Sequence, residues 1–154
     1  MKSLGFTGTQ KGWTVEQKRC MECIVSKTEP SEWHHGCCIG SDSELHELLL
    51  VRRGVIIHHP PINTTKKAFC KMRIGDTVLP AKDYIIRNHD IVDSSSVLFA
   101  TPNSLEETLR SGTWATVRYA KRIGQKVVVV YPDGQCIIYI PGTGPSLLNV
   151  CGNS

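Results

Sequence analysis

The sequence predicts one doubly wound α/β domain: a single, mostly parallel Rossmann-like sheet with helices on both faces and an antiparallel hairpin at its C-terminal edge. Three observations predict it. Runs such as Val55-Ile56-Ile57-His58 and Val127-Val128-Val129-Val130 lack the alternation of half-exposed strands and read as strands buried on both faces. Amphipathic helical stretches separate these runs, as crossover connections require. The 154 residues, 40% hydrophobic and 21% charged, suffice for one compact core.

Taken in order, residues 2–7 form a strand broken at Gly8-Thr9-Gln10-Lys11-Gly12. Thr14 caps a helix to about Lys27, with Cys20, Cys23 and Ile24 on its apolar face. Trp33-His34-His35 is a short strand ended by Gly36; Ser41 or Asp42 caps a helix carrying Leu45, Leu48 and Leu49, which Gly54 stops. Residues 55–58 are a strand closed by Pro60-Pro61, and residues 62–80 have no period. A third helix spans residues 82–93, a strand residues 97–100, and a fourth helix residues 112–123, with Gly124 as its C-cap. After the strand at 127–131, Asp133-Gly134 turns into an edge strand at 136–140. Residues 1–140 are expected to make the domain. Residues 141–154, rich in glycine, proline, serine and asparagine, are expected to be a strap or partner-docking tail.

Composition narrows the function classes. The net charge is +4, but its basic residues are scattered, with pairs such as Arg52-Arg53 and Lys66-Lys67 rather than a tract. That suits a small anionic ligand better than a specific nucleic-acid surface. No run approaches the about 20 apolar residues of a membrane span. The N-terminus lacks the pattern of a secretion signal, and seven cysteines, two of them adjacent (Cys37-Cys38), suit reduced thiols. A cytoplasmic location is expected.

Ligands of open parallel sheets bind beyond the carboxyl ends of the strands, near the switch in strand order. Three loops there have phosphate-binding composition. The first contributes Gly8, Thr9 and Gln10; the second Gly36, Gly40, Ser41 and Asp42; the third Ser111, Gly112 and Thr113. In each, glycine admits close approach and the following helix N-terminus offers N–H groups to an anion. Residues 59–83 leave a strand end as a long irregular connection bearing His59, Pro60, Asn63, Lys66, Lys67 and Phe69, and read as a lid over the ligand. Trp114 either stacks on the ligand or packs beneath the loop. His34, His35, His58, His59, Cys37 and Cys38 lack zinc-ligand spacing, so no metal is expected.

Several motifs carry a resemblance. Arg87-Asn88-His89-Asp90-Ile91-Val92-Asp93, the strand and turn at 96–102, Ser111-Gly112-Thr113 and the helix end and strand at 120–127 resemble the SLOG superfamily. That group includes the LOG (Lonely Guy) phosphoribohydrolases, DNA-processing Rossmann proteins and nucleotide-sensing domains of bacterial defence systems. Gly8-Thr9-Gln10, His34-His35-Gly36, His59-Pro60-Pro61 and Ser111-Gly112-Thr113-Trp114 look like a compact bacterial and phage branch. The resemblance covers roughly residues 3–134 and implies a Rossmann-like fold holding a nucleotide-derived ligand.

It also implies where catalysis would sit. LOG enzymes pair an arginine with a glutamate three positions after the loop threonine. Arg87 fits the arginine, but position 116 is threonine, which cannot supply a carboxylate. Glu106, Glu107 and Asp90 are the substitute carboxylates, with Asp42 and Glu44 conceivable. Two readings follow. One is a binder of an ADP-ribose-like or cyclic nucleotide, sensing it or sequestering it as a sponge against nucleotide-based immunity. The other is a nucleoside 5′-monophosphate N-glycosidase. Neither implies a cofactor, and a homodimer is the default assembly.

Overall fold

The computed structural model describes residues 2–29 and 31–150. Strands β1 (Lys2–Gly8), β2 (Ser31–His35), β3 (Ile56–His58), β4 (Thr77–Val78), β5 (Val97–Thr101) and β6 (Lys126–Val130) run parallel, while β7 (Cys136–Tyr139) and β8 (Ser146–Leu147) add antiparallel pairs. The strand order is β4-β3-β2-β1-β5-β6-β7-β8, which switches direction between β1 and β5. This is the doubly wound sheet the apolar runs predict.

Strand alternation divides the core into two layers. Leu4, Phe6, Phe99, Val128 and Val130 face α1 (Val15–Lys27) and α2 (Ser41–Leu49), where Met21, Ile24, Leu45 and Leu49 cover them. Leu98, Ala100, Val127 and Val129 face α3 (Tyr84–Asp93) and α4 (Gly112–Arg122), covered by Ile91, Val92, Trp114 and Val117. Both faces of the central strands are therefore dry, as β-branched strands without alternation require.

Helix α1 starts as its sequence dictates. Thr14 Oγ1 accepts from Gln17 N at 3.0 Å and Gln17 Oε1 accepts from Thr14 N at 3.1 Å, a reciprocal capping box. The buried Gln17 amide then donates to Pro102 O and Val130 O, at 2.7 and 2.9 Å, tying α1 to the ends of β5 and β6. Helix α2 departs from expectation. Its N-cap is Gly40 rather than Ser41 or Asp42, because the chain enters with φ +86° and a Cβ at Gly40 would lie 2.3 Å from Gln10 O.

The irregular stretch after β3 contains only a 3-10 turn (Thr64–Lys66) and β4. It is nonetheless fastened. Ile39 N donates to Lys66 O, Ala68 N to Cys37 O, and the Arg73 guanidinium bonds the carbonyls of Leu49, Leu50, Arg52 and Gly54 at the end of α2. The tail is also engaged as far as it is described: Leu148 N donates to Cys136 O, and Leu148 and Val150 pack on the α1 layer. Residues 151–154 lie outside the described residues. Among the described residues no helix is long and apolar enough to cross a membrane, and no disulfide joins the described cysteines.

Candidate functional site

A cavity of about 690 Å³ opens at the β1/β5 switch, beyond the carboxyl ends of the strands. The loops after β1, β2 and β5 reach it, as does one side of α3. Of the sequence-predicted residues it gathers Gly8, Thr9, Gln10, Gly36, Asp42, Arg87, Ser111, Gly112 and Thr113. Lys11, Lys66 and Arg110 add cations, so Asp42 faces four basic side chains and is the only carboxylate lining the cavity among the described residues. Part-exposed Tyr84 supplies the aromatic side chain of the lining, with the Arg87 guanidinium 5.1 Å from its ring centroid. A cavity with a basic rim favours an anion over a cation.

The three glycine loops end up in different states. Thr14 occupies the start of α1 with its own capping box, so only residues 8–11 of the first loop reach the cavity. At the start of α2, Ser41 N donates to Thr9 O at 2.9 Å, and Asp42 Oδ2 accepts from Cys38 N at 3.1 Å. That helix end holds a carboxylate from its own first turn. At the start of α4, Ser111 Oγ caps Trp114 N at 3.2 Å, while Gly112 and Thr113 line the cavity. A Cβ at Gly112 would meet nothing within 4 Å. Unlike the start of α2, this helix end has no acidic side chain in its first turn.

Arg87 is 4% exposed and organises the floor. Its Nη1 donates to Gly36 O at 2.5 Å and His59 O at 3.1 Å, Nη2 to Cys38 Sγ at 3.6 Å and Nε to Asn88 Oδ1 at 2.8 Å. Gly36 is required here, since a Cβ would lie 2.5 Å from Arg87 Nη1. No carboxylate of the described residues lies within 4.0 Å of the guanidinium, so its charge is left to the cavity. Asp42 is buried, 6% exposed. Burial pushes its carboxyl up to about 6, against the opposing pull of Arg87 and the backbone amides of Cys38 and Gly36.

The remaining predicted residues lie elsewhere. Gly40 and Ser41 are second-row, packing α2 against Gln10 and Thr9. His59 is buried, with Nε2 2.8 Å from His34 Nδ1, and burial lowers its imidazole to about 4. Pro60 is buried and accepts from Lys82 N. Asn63 is exposed and caps the 3-10 turn. Trp114 packs beneath the loop, bonded to Ser104 Oγ at 3.1 Å and 6.0 Å from the Tyr131 ring. Phe69 points to solvent, whereas Lys66 of the same segment reaches the cavity. Glu107 pairs with Arg118, Asp90 with Lys82, and Glu106 is exposed; none of the three lines the cavity. Thr116 is turned away too, its Oγ1 donating to Gly112 O at 2.8 Å.

Sequence reasoning missed a cluster beneath the second loop. His35, His46, His58 and Cys70 bring one ligand-type atom each to within 4.8 Å of one another. His46 and Cys70 stand far from any motif, and only the topology joins them.

Comparison with known proteins bears on the fold. No family model matches the chain, and no curated protein matches it. Among solved structures it is similar to a molybdenum cofactor binding protein from the phototrophic bacterium Rippkaea orientalis, with TM-score 0.64, 18% identity, and 84% of this chain and 76% of that one covered. It is also similar to TM1055, with TM-score 0.58, 12% identity and coverages of 82% and 72%. A third similar structure is DNA processing protein A from Helicobacter pylori, which binds single-stranded DNA, with TM-score 0.57 and 15% identity; 83% of this chain covers 64% of that one. The chain shares the Rossmann-like α/β fold of these structures. At these identities the likeness is one of fold.

Proposed function

We propose that the chain binds a nucleotide-derived ligand, ADP-ribose-like or a cyclic nucleotide, and retains it rather than cleaving it. The observation that carries this reading is the α4 N-terminus, open at Gly112 and Thr113 onto a cavity ringed by Lys11, Lys66, Arg87 and Arg110. In the proposed complex a phosphate rests on the N–H groups of residues 111–113, and the base lies along Tyr84. Retention follows from the carboxylates. Glu106, Glu107 and Asp90 lie outside the cavity, and Thr116 is bonded to its own helix. In a cytoplasm using such nucleotides as signals, the protein would act as a sensor or sponge.

A second reading, the nucleoside 5′-monophosphate N-glycosidase, is favoured by one observation. Asp42 is a cavity carboxylate with a pKa near 6, suited to proton transfer near neutral pH. One experiment separates the two. Purified protein is incubated with a nucleotide panel, the molybdenum cofactor and short single-stranded DNA, the last two taken from the named ligands of similar structures. Intact nucleotide recovered after heat denaturation supports the binder; multiple-turnover release of free base supports the glycosidase. Retention of single-stranded DNA in preference to nucleotides would defeat both. The proposed assembly is a homodimer, which light scattering coupled to gel filtration would test; the exposed Ile85 and Ile86 on α3 are available to such a contact.

A further inference from the structure

Beneath the second glycine loop, three histidine rings from separate elements meet: His35 at the end of β2, His46 in α2 and His58 at the end of β3. All three are at most 2% exposed. Their centroids form a nearly equilateral triangle with sides of 5.2, 5.0 and 5.1 Å, and every pair is edge-on, at 86°, 66° and 60°. Cys70, from the irregular segment after β3, closes the fourth side. Five of the six ring nitrogens have a partner, among them His58 Nδ1 with Cys37 Sγ at 3.3 Å, and a buried nitrogen without one is costly.

We propose that His35, His46, His58 and Cys70 form a four-ligand site for a zinc-class divalent ion, which clamps the segment bearing Lys66 to the rim of the cavity. Three imidazoles and a thiolate are a borderline-soft donor set, suited to tetrahedral zinc or cobalt and ill suited to magnesium or calcium. His35 Nε2 and His46 Nδ1 lie 3.0 Å apart. Two nitrogens on one tetrahedral ion, each bonded at roughly 2.0–2.1 Å, stand roughly 3.3 Å apart. The widest separation in the cluster is 4.8 Å, so closure takes a shift of about 1 Å in the farther ligands.

Two further observations point to an absent partner. His58 Nε2 is buried with nothing to bond, a defect that costs about 1–3 kcal/mol if left so. His46 Nε2 is 2.8 Å from Lys71 O, the backbone bond that fixes a metal-binding histidine with its Nδ1 lone pair facing the ion.

Without the ion, His35 Nδ1 accepts from Cys37 N at 3.1 Å, and its Nε2 proton faces His46. On coordination that proton transfers to Nδ1 and the Cys37 amide turns aside, while the Cys70 thiol proton is released to solvent. Cys37 is the single described non-glycine residue with positive φ, at +55°, a conformation that costs a side-chain-bearing residue strain.

The test is independent of what the cavity binds. The full chain, purified without chelator, should carry about one zinc per chain by elemental analysis. Replacement by Co²⁺ should give intense visible tetrahedral bands and a near-ultraviolet thiolate-to-cobalt charge-transfer band. Cys70→Ala, on a partly exposed segment, should fold with unchanged circular dichroism yet lose the charge-transfer band. Chelation of the wild type should speed amide exchange across residues 62–73. Substoichiometric metal with a weak octahedral cobalt spectrum would overturn the proposal, leaving a hydrogen-bonded histidine network. So would a charge-transfer band that survives in Cys70→Ala.

Discussion

The N-termini of α2 and α4 share a sheet edge, a glycine-bearing entry and a hydroxyl residue, yet one is closed and the other open. At α2, Thr9 O and the Asp42 carboxylate take the role that an external anion would have. At α4, no acidic residue stands in the first turn, and Gly112 leaves empty space before the helix. The difference teaches that loop composition announces a helix end, while a single carboxylate in the first turn decides whether it can take a ligand.

Arg87 links the two ends, and its removal should have the largest effect. Arg87→Ala strips donors from the buried Gly36 and His59 carbonyls and removes the cation nearest in effect to Asp42. Each buried carbonyl left without its charged donor costs about 1–3 kcal/mol of stability. Denaturant unfolding that shows less than about 1 kcal/mol would mean that Arg87 is a ligand contact rather than the keystone of the floor.

The Gly112→Asp variant sharpens the comparison directly, because it gives α4 the acidic first turn of α2. Phosphate affinity should fall by about 3 kcal/mol, or roughly a hundredfold, while the melting temperature holds or rises. Unchanged affinity in calorimetry would remove the third loop from the site.

The closed end should report itself through pH. Asp42 is raised from 3.8 to about 6 in the fold, facing Arg87, Cys38 and Cys70. Between these values the folded state holds a proton that the unfolded state has released, so stability is highest below about pH 4 on this account and falls as pH rises through 6. At 1.36 kcal/mol per unit the loss is roughly 3 kcal/mol. Asp42→Asn should flatten that slope and tighten anion binding. A slope that persists in the variant would assign it to another group.

How much of this was legible follows from where each signal resides. Strands β5 and β6 and the capping box of α1 were readable because their causes are local: unbroken apolar runs, and Thr14 three residues before Gln17. The closed state of α2 was not, since it depends on Asp42 folding back onto Cys38 N across a left-handed turn. Of the histidine–cysteine cluster only His35 and His58 were in view as candidates, and His46 and Cys70 were missed for a stronger reason. The cluster's members come from β2, α2, β3 and an aperiodic segment, so no spacing rule relates them. Trp114 had two readings from sequence, and its bond to Ser104 and burial under the loop put it with the core.

The smallest effect is expected at Thr116, the position where the resembled family carries a glutamate. Its hydroxyl donates to Gly112 O, one turn back, and its side chain is 2% exposed among the α4 residues that face the sheet. Thr116→Val keeps the shape and removes one bond to a carbonyl already placed in the helix, so stability should change by no more than about 1 kcal/mol. Affinity should not change, because the residue does not line the cavity. A carboxylate here would have to leave the core to reach a bound sugar, so Thr116→Glu should destabilise the helix face rather than install cleavage. Gain of free-base release by Thr116→Glu in a folded protein would show that α4 rotates toward the cavity when ligand binds, and would return position 116 to the site.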